Sequence, residues 1–121
     1  WLRNYGEFTR FCLVGRGRGG NIVFRATVSV LDLDINPLKI CGLALNQPMF
    51  GGLQRTTSEL KFATDTVLPL PALDLLWDLA LPTGTNHDHP YCNPMVGGPH
   101  LSKVSMLRRC LMIGFGEDPT V

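Results

Sequence analysis

The chain has 121 residues, 45% of them hydrophobic, 17% charged and 8% aromatic, which suits one globular domain and excludes a disordered or fibrous chain. A formal net charge of +1 supplies no general attraction to nucleic acid or to a membrane surface. No apolar run reaches the ~18 residues of a membrane span, so a soluble chain is expected. With few charges and a mean hydropathy of +0.11, the strands are expected to be buried on both faces, as in a parallel sheet. The sequence opens on Trp1 and closes on Val121 straight after Gly-Glu-Asp-Pro-Thr, and it reads as an internal fragment of a longer α/β protein.

Residues 8–14 are apolar, rich in β-formers and end at Gly15, which predicts a short buried strand. A glycine turn follows, Gly15-Arg16-Gly17-Arg18-Gly19-Gly20. Residues 21–33 read as a helix, with Ile22, Val23, Ala26, Val30 and Leu33 near one face; β-branched residues weaken the pattern. Asn36-Pro37 breaks it, and residues 38–45 form a second strand, so the first third is a βαβ unit. Gln47 to Gly52 is a loop, and Thr56 and Glu59 stand at capping-box spacing. After Pro69 and Pro71, Leu73, Leu76, Trp77 and Ala80 recur at helical intervals over residues 72–81. Residues 83–99 are irregular, 105–109 short and polar, and 110–114 a third buried strand. The division expected is 1–46 for strand, turn, helix and strand, 47–103 for a loop and helical insertion, and 104–121 for the last strand and its loop.

Cys12, Cys41 and Cys110 lie inside apolar strand-like runs, where a free thiol acts as a small core residue. No Cys-x-x-Cys pair offers a zinc site, and a reducing, intracellular compartment is expected.

The glycine turn admits more than one chemistry. Gly15, Gly17 and Gly20 satisfy G-x-G-x-x-G between strand and helix, a dinucleotide fingerprint, but the second strand ends on Leu45-Asn46-Gln47 without the carboxylate that would hold a ribose. Two Arg-Gly steps are too few for an RNA-binding segment. In the third reading Gly15 and Gly19 hold the outer places of G-x-S-x-G, the nucleophile elbow, whose central place is Gly17.

An ordered series of motifs then resembles one family. It runs from Trp1-Leu2 and Phe8 through Gly15-x-Gly17-x-Gly19-Gly20-Asn21-Ile22 and Gln47-Pro48-Met49-Phe50-Gly51-Gly52. It continues through Arg55-Thr56, Ser58-Glu59-Leu60, Leu68-Pro69-Leu70, Asp74-Leu75 and Trp77. His89, Tyr91-Cys92-Asn93-Pro94 and Gly114-x-Gly116-Glu117-Asp118-Pro119 complete it. The chain resembles the plant carboxylesterases among the α/β-hydrolases, which are hormone-sensitive-lipase-like and related to the gibberellin receptor.

The resemblance implies a doubly wound, mostly parallel α/β-hydrolase sheet, present here as about three strands, the elbow helix and a cap-side helix. It implies hydrolysis of carboxylic esters through an acyl-serine. The family's nucleophile falls on Gly17, which has no side chain. Its catalytic acid falls on Asp118, which would orient a histidine, although Glu117-Asp118-Pro119 also suits a plain turn. The oxyanion N–H falls on Arg18, whose long cation would crowd the pocket. The family's His-Gly-Gly segment belongs upstream of Trp1 and its catalytic histidine downstream of Val121. No histidine follows Asp118, so His87, His89 and His100 do not suit the triad order.

Two functions are therefore expected: a carboxylesterase-like member inactive through Gly17, or a non-enzymatic small-molecule binding protein of receptor type. A dinucleotide-binding unit is the distant third. The ligand expected is a small-molecule ester or hormone-like compound, with no cofactor, metal, nucleic acid or membrane partner, in the cytoplasm or also the nucleus. Met49 and Phe50 are pocket wall or plain packing, Leu76 and Trp77 core, Arg16 and Arg18 pocket cations or a solvated turn. The His87-Asp88-His89 stretch with Cys92 reads as a solvated loop rather than a metal site.

Overall fold

The structure, a computed structural model, describes residues 10–107 and 109–120. Trp1, Leu2 and Phe8, at the start of the resemblance, lie outside the described residues. β1 (Arg10–Arg16) turns at Gly17 into α1 (Arg18–Val30), and β2 (Lys39–Asn46) returns beside β1. α2 (Thr57–Lys61), α3 (Leu70–Ala80) and α4 (Pro99–Val104) precede β3 (Cys110–Ile113). The described strands form one sheet in the order β1-β2-β3, parallel throughout. Parallel neighbours need a long crossover, which the 13-residue α1 supplies between β1 and β2.

α1 packs on one face of the sheet, where Phe24 and Val28 close a core with Leu43 and Leu45 of β2. Burying a side chain such as Leu45, 1% exposed, contributes about 1.5–3 kcal/mol. The helix lies three residues earlier than the hydrophobic pattern predicts, and its sheet-facing stripe is different. Gly20, Asn21, Phe24, Thr27 and Val28 are buried, whereas Ile22 of the expected face is 67% exposed. Close approach explains the change: a Cβ on Gly20 would lie 3.0 Å from the Pro48 Cα. The helix therefore seats on its smallest residue, and apolarity alone selects the wrong side.

A second core joins Leu73 and Trp77 of α3 to Met49 and Cys92. α3 begins at Leu70, ahead of the expected start, because Pro71 falls in the first turn, where a missing N–H breaks no helical hydrogen bond. α2 has the predicted capping box. The Glu59 N–H donates to Thr56 Oγ1 at 3.1 Å, and Glu59 Oε2 accepts from the Thr56 N–H at 2.8 Å. Arg55 binds the buried Glu59 at 3.6 Å and Asp74 of α3 at 2.7 Å, tying α2 to α3. α4 stands where no element is predicted; a six-residue helix opened by Gly98 and Pro99 is too short to show periodicity.

Burial of the strands departs most from expectation. Every residue of β3 is exposed, and β1 alternates exposed with half-buried apart from Gly15. Helical cover is one-sided among the described residues. Val14, Ala44 and Leu111 share a register row, on the face opposite Leu43 and Leu45, and Val14 and Leu111 are 70% and 59% exposed. Cys12 and Cys110, expected in the core, are exposed with these strands, and Cys41 is half-buried. The buried thiol is Cys92, and burial pushes it up to about 12.

Candidate functional site

β1 and α1 are joined through one residue. Gly17 has φ +53° and ψ −123°, a backbone that L side chains rarely adopt and that nucleophile turns store as strain. Its N–H donates to the Asn46 carbonyl at 3.0 Å, and its carbonyl accepts from the N–H groups of Gly20 at 3.0 Å and Met49 at 3.1 Å. The turn is thus braced by the end of β2, by α1 and by the loop after β2. A Cβ on Gly15 would fall 2.3 Å from the Gly19 carbonyl oxygen, whereas one on Gly19 would meet nothing within 4 Å. The second tight place is therefore Gly20, against Pro48, and not the expected Gly19. A Cβ on Gly17 would also meet nothing within 4 Å; it would stand in open space.

Asp118, in the turn after β3, lines the same cavity of about 330 Å³ as Gly17, Arg18, Gln47 and Met49. Its Oδ2 accepts from Gln47 Nε2 at 2.8 Å, and its Oδ1 accepts from the Thr120 N–H at 2.8 Å and hydroxyl at 2.6 Å. Partial burial pushes this carboxyl up, but the hydrogen bonds from Thr120 and Gln47 outweigh it and hold the group below its ordinary value. Asp118 is consequently both a turn residue, its N–H on the Phe115 carbonyl at 3.1 Å, and an ionised, oriented acid. Gln47 is a site residue that motif spacing does not single out. It has φ +47° and donates its N–H to the Ile113 carbonyl at 2.7 Å, which brings its amide over the acid loop. In the sequence it stands only as the first letter of the motif running from Gln47 to Gly52, with no role attached to it.

Arg18 opens α1, so its N–H is among the first-turn donors without an intrahelical partner, at the positive end of the helix. Its side chain is exposed and borders the cavity. Met49 is buried at the cavity wall. Phe50 does not line this cavity: its ring packs edge-on to Phe24 at 5.4 Å and borders a separate cavity with Pro48 and Arg55. Asn21, which the sequence offers only as a motif letter, is a buried clamp: its amide donates to the carbonyls of Met49 at 3.0 Å and Tyr91 at 2.8 Å.

The histidines of the irregular stretch face elsewhere. His87 Nε2 lies 3.1 Å from Asp78 Oδ1, and the His89 ring meets Tyr91 at 4.6 Å. Neither lines the cavity at Gly17. Asp88 is committed to the Leu53 N–H and the Asn93 amide, each at 3.0 Å, and these bonds hold its carboxyl below the ordinary value. Chemically, the site can hold a positive partner on Asp118 and present N–H donors to an acyl oxygen. It has no atom at Gly17 with which to attack.

The alpha/beta hydrolase fold family matches residues 1–121. The chain is 46% identical over 121 residues to Probable carboxylesterase 9 of Arabidopsis thaliana, covering 100% of this chain and 37% of that protein. It is 44% identical to the 3-O-acetylpapaveroxine carboxylesterase CXE2 of Papaver somniferum, covering 100% of this chain and 40% of that one. It is 35% identical to the Gibberellin receptor GID1 of Oryza sativa subsp. japonica, covering 99% and 33% respectively. The chain thus spans about two fifths or less of the length of these relatives.

Proposed function

The chain belongs to the alpha/beta hydrolase fold family, with carboxylesterase-like relatives, and from that premise we propose that its elbow cavity binds a small-molecule carboxylic ester without cleaving it. The observation that carries this is Gly17: the strained strand-to-helix turn is kept at φ +53°, while the oxygen that would form the acyl intermediate is missing. The Arg18 N–H borders the same space and would donate to the ester's carbonyl oxygen, with Met49 against its apolar part. A hormone-like ligand is the second occupant, favoured by the gibberellin receptor among the relatives. Free thiols at all four cysteines support a reducing compartment, the cytoplasm.

The purified chain is expected to turn over p-nitrophenyl acetate no faster than a denatured control and to resist a serine-directed fluorophosphonate. Completed as a chimaera with the flanking segments of a carboxylesterase relative, Gly17→Ser should gain both reactions, by about 10³-fold or more in turnover. The strain at that backbone should cost about 1–3 kcal/mol of stability. Stoichiometric labelling of the unmodified chain, or a folded chimaera that stays inert, would overturn the assignment of the nucleophile position to Gly17.

A further inference from the structure

The end of the sheet away from the elbow holds a group of thiols that ester binding does not use. Cys12, Cys41 and Cys110 line one cavity of about 530 Å³ together with Arg109. Between β1 and β2 the register steps from Phe11 opposite Ile40 to Cys12 opposite Gly42. Cys41 is therefore the extra residue, as in a β-bulge, which re-aims a side chain. Arg10 and Cys12 stand two residues apart on β1 and so share a face, and Arg10 Nε donates to Cys41 Sγ at 3.2 Å. Cys41, by that hydrogen bond and by its charge, and Cys12, by its charge, hold the Arg10 guanidinium above its ordinary value. One cation thus stands at two sulfurs from neighbouring strands.

Both sulfurs are open to a reagent, since Cys12 is exposed and Cys41 half-buried. Gly42 keeps the space beside them free: a Cβ there would lie 3.5 Å from Cys12 Sγ and 3.6 Å from Arg109 Cβ. Neighbouring strands run about 4.8 Å apart, inside the Cα separation of about 4.4–6.8 Å that a disulfide spans. Cys110 stands beside Leu43 in register, on the α1 face rather than the face of Cys12. No Asp or Glu lines the cavity among the described residues, and the exposed cations Arg10, Lys39 and Arg109 stand at this end of the sheet. We propose that Cys12 and Cys41 form a redox dithiol that exchanges with small anionic disulfides and closes as a disulfide between β1 and β2. Cys12, the more exposed, attacks as its thiolate one sulfur of the small disulfide, whose S–S bond breaks to release one thiol. The Cys41 thiolate then attacks the Cys12 sulfur of the mixed disulfide and expels the second thiol. The dithiol loses two electrons to the small disulfide, and the two cysteine protons leave on the two thiols released. The exchange is independent of what occupies the elbow cavity.

The test incubates the reduced whole chain, at low concentration, with oxidised glutathione or with cystamine, a cationic disulfide. Products are mapped by peptide mass spectrometry without reduction. The expected product is a link between Cys12 and Cys41, formed faster with oxidised glutathione than with cystamine. Cys41→Ser should stop at a glutathione mixed disulfide on Cys12, and Cys110→Ser should close as the parent does. Arg10→Gln should slow the reaction with oxidised glutathione by about threefold or more and spare that with cystamine, while Arg10→Lys keeps the anionic preference. The parent map identifies the pair without any variant, so a misfolded variant leaves the question decidable. Mixed disulfides without a link between Cys12 and Cys41, a link through Cys92 or Cys110 in its place, or equally fast closure of the parent by both disulfides would each overturn the proposal.

Discussion

Asp118 shows how a single side chain can carry structural and chemical roles together. Its carboxylate accepts from Gln47 at 2.8 Å and twice from Thr120, so it is held ionised and pointed at the cavity. Because its folded pKa is depressed, the folded state prefers the charged form. That stability is present above the unfolded carboxyl value of about 3.9 and is lost as pH falls through the folded value. Urea midpoints measured at pH 7 and pH 3 should therefore fall less steeply with acid in Asp118→Asn than in the parent, and Gln47→Leu should lie between them. Identical acid sensitivity in all three proteins would mean that the hydrogen bonds to Asp118 do not form in solution.

Among the elements, α1 joins the elbow, the sheet and the loops. Its first turn receives the strained Gly17, its buried stripe covers β2, and Asn21 reaches the loop at Met49 and the loop at Tyr91. Replacing Asn21 by Ala would leave two inward carbonyls without their donor, at a cost of about 1–3 kcal/mol. The predicted signature is a lower denaturation midpoint with the fastest proteolysis in residues 83–98, since that segment loses its anchor to α1. Cleavage spread evenly over the chain would instead show that Asn21 does not hold that loop. The polar clamp is also why hydrophobic periodicity misplaces the buried face of α1. The pattern counts apolar side chains, and this helix packs through Gly20 and a satisfied amide.

At the largest scale, the decisive feature among the described residues is a sheet with helical cover on one side. The row of Val14, Ala44 and Leu111 presents exposed apolar surface, and such patches drive association in water. The chain by itself should self-associate with increasing concentration, read by light scattering, and bind a hydrophobic dye. Val14→Lys with Leu111→Lys should suppress both effects without loss of helical circular dichroism. A parent chain that stays monomeric at high concentration would show that this face is not sticky as the register implies.

Local chemistry was legible in the sequence wherever a residue acts through its own backbone or near neighbours. The βαβ order, the capping box of Thr56 and Glu59, the helix carrying Leu73 and Trp77, and the family's ordered motifs depend on short-range spacing, so letters alone reveal them. Only the tertiary structure could decide which face of α1 is buried, that Gly20 rather than Gly19 is the tight glycine, and that β3 and Cys110 are exposed. It alone brings Gln47 to Asp118, 71 positions apart, and sets the Arg25 guanidinium over the Tyr91 ring. Those outcomes depend on distances between segments remote in sequence, set by how closely backbones approach and which surfaces receive cover, and no periodicity within one segment encodes them.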